Sequence, residues 1–377
     1  MTGEDLPQPS AGFDLAPNGW DSDSKRWNKY PPGVLPLWVA DMDFAVAAPI
    51  RQAMVARVQS APFWYAGATA EHNHQVATYL QRRYAWKIEP DWVLWVPGVM
   101  AGIYQAVQLL PEDAAVICQT PVYGPLTRAA KLRHLLAVPL YLPGDYWHCN
   151  WPDTTASNAQ MLLLCHPHNP TGKVMIREEL RQLGSYAAHN RLLVVSDEIH
   201  ADLTLDGEHL PFALACPELL ESTITFMAAS KTYNIAGLNT AVAIIPDPQL
   251  RQALAQRMLY CGEVSNLGRI ATLAAFAEGE SWRQELLTYL RGNRAELDRA
   301  ITSIDGLDWI PNQATYLGWI NCSALAAADS LHTRLLAAGL ALSSGSEFGD
   351  AGHLRINCAT SRERLRQALQ ILARVCN

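Results

Sequence analysis

The chain has 377 residues, 49% of them hydrophobic, and carries 36 acidic against 29 basic side chains for a formal net charge of −7. That acidic balance argues against nucleic acid or an anionic membrane as the main partner, and no apolar run reaches the roughly 20 residues a membrane helix needs. The N-terminus lacks the charged-then-apolar pattern of a secretion signal, and eight scattered cysteines form no CxxC pair or Cys/His cluster, so a cytoplasmic protein with reduced core thiols and no metal site is expected.

Residues 1–45, rich in Pro, Gly, Asp and Trp and without periodicity, predict an arm packed against the small domain. From about residue 46, helical patterns (Pro49 to Val58, Glu71 to Tyr84, Met100 to Leu110, Arg177 to His189) alternate with short apolar runs at 93–96, 114–118, 161–165, 192–195, 223–227 and 242–245. Such alternation predicts an α/β fold, a mostly parallel sheet covered by helices on both faces, over residues 46–280. The remainder, 281–377, opens with a long amphipathic helix from Glu280 to Ile304. It continues through a strand-rich stretch around 314–320 and closes on a helix from Thr360 to Val375, with Thr360 and Glu363 at capping-box spacing. It reads as a smaller C-terminal α+β domain.

Ligands of an open parallel sheet bind beyond the carboxyl ends of its strands, and the unusual polar residues fall there. Gly98 follows the first apolar run and feeds a helix, so Gly98, Val99 and Met100 can offer free backbone N–H groups to a phosphate. Tyr123 follows the second run and can stack on a planar ring. Asn169 sits between Pro167 and Pro170 after the third, in a string whose backbone is held tightly. Asp197 ends an almost wholly apolar strand, where a carboxylate is expensive without a cationic partner. Lys231, one of six lysines (Lys25, Lys29, Lys87, Lys131, Lys173 and Lys231), follows an apolar run and Ala228-Ala229-Ser230. A desolvated amine suits a Schiff base with an aldehyde cofactor. Singly, each of these has an ordinary structural explanation: a turn, a loop tyrosine, an N-cap or a lysine reaching solvent. Together they fit one ligand, pyridoxal 5′-phosphate (PLP).

With Asn169-Pro170-Thr171-Gly172, Ser196-Asp197-Glu198-Ile199-His200 and Ser230-Lys231 in place, the chain resembles the fold-type I PLP enzymes, the aspartate aminotransferase superfamily. It is most similar to the cystathionine β-lyase group of the MalY/PatB type. Trp38 to Phe44, His200, Lys231 to Leu238 and Gly345 to Asn357 carry that likeness. The resemblance implies that Lys231 bonds the cofactor aldehyde and moves the Cα proton. It implies that Asp197 pairs with the pyridinium nitrogen, that Asn169 and His200 contact the ring hydroxyl, and that Tyr123 stacks on the ring. Gly98, Val99, Met100 and Ser230 hold the phosphate, aided by Tyr65 of a neighbouring copy in a homodimer with shared sites. Tyr123 and Tyr65 are the candidates to protonate the leaving sulfur. Arg355 binds the α-carboxylate, as strand alternation supports: Leu354 and Ile356 face one way, Arg355 and Asn357 the other. A guanidinium also grips a carboxylate in two-pronged fashion.

Three departures stand out. Trp64 replaces a glycine before Tyr65, Ala228 replaces a phosphate-binding hydroxyl residue, and Asn239 stands where aminotransferases commonly place arginine. The expected reaction is β-elimination from a cysteine-derived thioether, giving thiol, pyruvate and ammonia from a small amino-acid substrate. Amino transfer on the same scaffold and a non-catalytic binding role remain open alternatives.

Overall fold

A computed structural model describes residues 12–15, 19–20, 22–60, 62–141, 148–149, 151, 156–325 and 328–376. Parts of the predicted arm, including residues 1–11, lie outside the described residues. Among those described, no helix is long and apolar enough to cross a membrane.

Eight strands form the central sheet, in the spatial order Val93–Val96, Ala241–Ile244, Thr223–Met227, Leu193–Asp197, Ala159–Cys165, Ala115–Thr120, His134–Tyr141 and His148–Cys149. The four pairings from Thr223–Met227 to His134–Tyr141 are parallel. Ala241–Ile244 runs antiparallel to both its neighbours, which leaves Val93–Val96 pointing the same way as the parallel strands. All six apolar runs of the sequence are therefore strands, and the five that precede a candidate site residue end on one edge. His134–Tyr141 had no expected counterpart, since Pro139 weakens its strand signal.

The strands are apolar throughout because both faces are covered. Phe226, Ile103 and Leu163 pack on one side; Ile117, Leu164, Leu180 and Phe212 pack on another. The helix Arg177–His189 buries Leu180, Leu183, Gly184 and Ala187, and Tyr186 of the expected apolar face lies against Trp151, ring centroids 5.2 Å apart. The helix Ala70–Tyr84 opens on a reciprocal cap. Thr69 Oγ1 accepts from the His72 N–H (3.3 Å) while His72 Nδ1 accepts from the Thr69 N–H (3.2 Å), satisfying two orphan donors at once.

Beyond the helix Glu280–Ile301, a four-stranded antiparallel sheet is ordered Asp308–Trp309, Leu317–Asn321, His353–Asn357, Ser343–Ser344. Its core gathers Leu297, Ile301, Ile320, Leu331, Leu354, Ile356, Leu365 and Leu369. The last helix spans Arg362–Cys376, and the expected capping box at Thr360 does not form. The Thr360 hydroxyl instead donates to Asp43 Oδ2 (2.6 Å), and Ser361 Oγ accepts from the Arg364 N–H (3.4 Å). A buried carboxylate outbids a helix end for a hydroxyl because charge-assisted hydrogen bonds are the stronger ones.

The N-terminal segment is tied down where it matters. Leu35–Pro36 pairs in parallel with Leu340–Ala341. Arg26, 1% exposed, sits 3.2 Å from Asp43 and donates to the carbonyls of Pro36 (2.6 Å) and Asp41 (2.9 Å).

Candidate active site

One cavity of about 580 Å³ lies at the shared strand edge. Gly98, Val99, Met100, Tyr123, Asn169, Asp197, His200, Ser230, Lys231 and Arg355 all line it, so the fold brings together every candidate site residue except Tyr65. Tyr65 is 96% exposed, beside exposed Phe63 and Trp64, and is not among the residues that line this cavity.

The phosphate end is built on a glycine. Gly98 is the N-cap of the helix Val99–Val107 at φ +106° and ψ 150°. No atom lies within 4 Å of where its Cβ would stand, so the backbone angle, not space, demands glycine. The helix thus begins with its free N–H groups and positive dipole end at the cavity. Asn239, left-handed at φ +46°, and Thr240 line the same end.

Asp197 is buried at the end of its strand, and its Oδ1 accepts the Ile199 N–H at 3.2 Å. Burial pushes its carboxyl up to about 7, against the pull of the Ile199 N–H and the Lys231 charge. Behind it Glu198 is held by the Ser196 hydroxyl (2.9 Å), the Phe212 N–H (3.0 Å) and His209 Nε2 (2.6 Å), a strut that fixes the turn carrying Asp197.

Lys231 Nζ donates to the Ala40 carbonyl at 2.7 Å, and burial holds its amine below the usual lysine range. The carbonyl is held in place by Asn234, at the end of the turn that carries Lys231. Its Nδ2 donates to the carbonyls of Met42 (3.0 Å) and Phe44 (2.7 Å), and its Oδ1 accepts the Met42 N–H (3.2 Å). From the other side Asn357 Nδ2 donates to the carbonyls of Val39 (2.6 Å) and Asp41 (2.5 Å). Residues 38–44 therefore form a fixed wall over the lysine. Sequence reasoning missed this wall, because its contacts to Lys231 and Arg355 run through backbone carbonyls, which any residue possesses.

Arg355 faces the cavity while Leu354 and Ile356 enter the core around Ile320 and Leu365. Its guanidinium donates to Asn169 Oδ1 (3.0 Å) and the Trp38 carbonyl (2.9 Å) and lies over the Phe348 ring, 4.6 Å from its centroid. Burial lowers its pKa to about 10, so it stays charged at neutral pH. The Tyr123 hydroxyl is pushed up, chiefly by burial, and is protonated at neutral pH. His200 is buried and pulled down to about 3, first by burial and then by the charges of Lys231 and Arg355, so its ring is neutral.

These residues fit PLP. Asp197 is a buried carboxylate with no cation hydrogen-bonded to it among the described residues, suited to a pyridinium nitrogen. His200 Nδ1 and Arg355 Nε are buried without a partner among the described residues, where ring-hydroxyl and carboxylate oxygens can serve. The Gly98 turn supplies a phosphate site and Lys231 an amine of lowered pKa.

The comparisons agree. Residues 51–372 match the family model for aminotransferase class I and II. The cystathionine beta-lyase PatB of Bacillus subtilis is 32% identical, with 95% of this chain and 98% of that protein covered. The protein MalY of Escherichia coli is 26% identical over 93% of each. Among solved structures, OvoB superposes with a TM-score of 0.93 at 36% identity, covering 97% of this chain and 99% of that one. The PLP-bound C–S lyase of Staphylococcus hominis gives 0.90 at 27% identity, over 97% and 98%. The chain belongs to the aminotransferase class I and II family of fold-type I PLP enzymes, in its C–S lyase group.

The buried histidines set a pH dependence. His168, buried with Nδ1 2.9 Å from Thr171 Oγ1, is pulled from 6.5 to about 3, mainly by burial. Between those values the unfolded chain binds a proton that the native state refuses, so stability falls as pH falls. Asp197, raised from 3.8 to about 7, acts with the opposite sign, so a difference measurement is required. In His168→Gln the thermal midpoint drops less between pH 6.5 and 4 than in wild type; equal slopes contradict the assignment.

Proposed function

We propose that the protein cleaves the Cβ–S bond of a cysteine-derived thioether, cystathionine or an S-substituted cysteine. Thioether and one water yield thiol, pyruvate and ammonia. The observation that carries this reading is the convergence of the Lys231 amine, the Asp197 carboxylate and the Arg355 guanidinium in one cavity, in a chain whose relatives include the cystathionine beta-lyase PatB.

PLP, when bound, supplies the electron sink that makes the Cα proton of an amino acid acidic. Asp197 would keep the ring nitrogen protonated, Asn169 and His200 would hold the ring hydroxyl, Tyr123 would pack on the ring, and Gly98, Val99, Met100 and Ser230 would hold the phosphate. Arg355 fixes the α-carboxylate and is itself aimed by Asn169 Oδ1 and the Trp38 carbonyl. That leaves Lys231 Nζ, with its lowered pKa, to carry the Cα proton. The Tyr123 hydroxyl, kept protonated by burial, can protonate the departing sulfur, and so can the partner's Tyr65.

A homodimer belongs to this proposal. The exposed run Phe63-Trp64-Tyr65 supports it as a segment that completes the site of a second copy. A cytoplasmic setting belongs to it too, supported by the seven cysteines with described side chains, all of them free.

The test is incubation of holoenzyme with cystathionine or S-alkyl-cysteines, without a keto acid. Pyruvate and thiol in equal amounts support the reading; amino transfer that requires a keto acid, with no thiol, contradicts it. Arg355→Lys keeps the charge and loses the planar fork, so kcat/KM should fall about 10²-fold, in line with about 2–5 kcal/mol for disrupting a buried charge pair. An unchanged kcat/KM removes Arg355 from carboxylate binding.

A further inference from the structure

Three charged side chains at the cavity's lip have no role in the mechanism above. Lys25, Arg128 and Glu347 all line the cavity and are exposed. None makes a side-chain hydrogen bond or ion pair among the described residues. Arg128 projects from the helix Gly124–Ala130 that Tyr123 caps. A Cβ placed on Gly124 would lie 2.6 Å from the Glu347 carbonyl oxygen and 3.5 Å from an Arg128 Nη1, so Arg128 and the 345–348 turn flank one point of the lip. Lys25 comes from the arm, close in sequence to Lys29, whose ammonium sits 3.9 Å over the Trp38 ring that lines the same cavity.

Two cations thus share the lip with one anion, and none of the three is held in an ion pair among the described residues, which leaves the lip with a net positive charge. Unpaired cations at the rim of a cleft focus its field and attract anions, and Arg128 lines this cleft from the helix that begins at Tyr123, the residue proposed above to protonate the departing sulfur. We infer that Arg128 and Lys25 form a subsite for an anionic group, a carboxylate on the sulfur substituent of the thioether. This rests on the lyase reading and names the chemistry of the half of the substrate that departs as thiol.

The test compares initial rates of pyruvate release by the holoenzyme from S-(2-carboxyethyl)-L-cysteine and S-propyl-L-cysteine, whose substituents are close in size. Wild type should favour the carboxylated substrate by about tenfold in kcat/KM, the scale of one charge-assisted hydrogen bond. Arg128→Ala should erase most of that preference and leave S-propyl-L-cysteine within about twofold of wild type. The double variant Arg128→Glu/Lys25→Glu should instead favour S-(2-aminoethyl)-L-cysteine. Equal wild-type rates on the first two substrates, or a preference that survives both variants, overturn the inference while leaving the lyase reading intact. If the variants shed cofactor on dialysis and keep their preference, the two cations serve the cofactor phosphate and the inference is again overturned. No pyruvate from any substrate sinks the lyase reading and this inference with it.

Discussion

Lys231→Ala should reduce kcat for thioether cleavage by about 10⁴-fold or more, the upper range for removing a group that shuttles a proton in the rate-limiting barrier. The loss should fall on kcat more than on KM, because Arg355, aimed by Asn169 Oδ1, would still hold the α-carboxylate. The fold should survive: among the described residues Nζ makes one hydrogen bond, to the Ala40 carbonyl, and the wall that presents that carbonyl is anchored independently by Asn234 and Asn357. Truncation also removes an amine that burial holds below its ordinary pKa, so the apoprotein should lose little thermal stability. The measurement is steady-state pyruvate release alongside a melting curve. A variant that keeps a tenth of wild-type kcat, or that fails only because it unfolds, contradicts the assignment of the proton transfer to this amine.

Asp197→Asn should be the next most damaging change. The substitution keeps size and the backbone contact at Ile199 but removes the negative charge. On the proposed reading that charge would pair with the cofactor's ring nitrogen, and leaving one member of a buried ion pair alone costs about 3–5 kcal/mol. The expected loss in kcat/KM is about 10²- to 10³-fold. The apoprotein should respond in the opposite direction. Burial raises the carboxyl to about 7, so between 3.8 and 7 the native state binds the proton more tightly than the unfolded chain. Stability from this group is therefore present at low pH and is lost as pH rises through 7. Asparagine lacks that term, so apo-Asp197→Asn should melt higher than apo-wild type at pH 8 and lose this advantage at pH 4. A variant less stable than wild type across that range would place the carboxylate in a structural ion pair instead.

Much of the site was legible because each functional residue interrupts an apolar run. Asp197 after Leu193-Val194-Val195, and Lys231 after Thr223 to Met227 and three small residues, are conspicuous because burying a charge is expensive. Strand alternation set Arg355 apart from the core residues Leu354 and Ile356, while its role came from the family resemblance. What remained hidden has a common physical cause: it resides in backbone atoms or in contacts distant along the chain. Ala40 meets Lys231 through a carbonyl, and Trp38 meets Arg355 in the same way. The sheet order could not be read from periodicity, since Ala241–Ile244 inserts between Val93–Val96 and Thr223–Met227. Thr360 had the spacing of a helix cap, but Asp43, 317 residues away, takes its hydroxyl. The lip residues Lys25 and Arg128 look in sequence like any solvated cations; only the fold sets them around one opening.

The most direct test of the central claim is reduction of the purified holoenzyme with borohydride, followed by proteolysis and mass mapping of the six lysines. A stable pyridoxyl mass on the peptide bearing Lys231, and on no other, is the predicted result. Label at another lysine, or none at all with the cofactor lost on gel filtration after reduction, would contradict it.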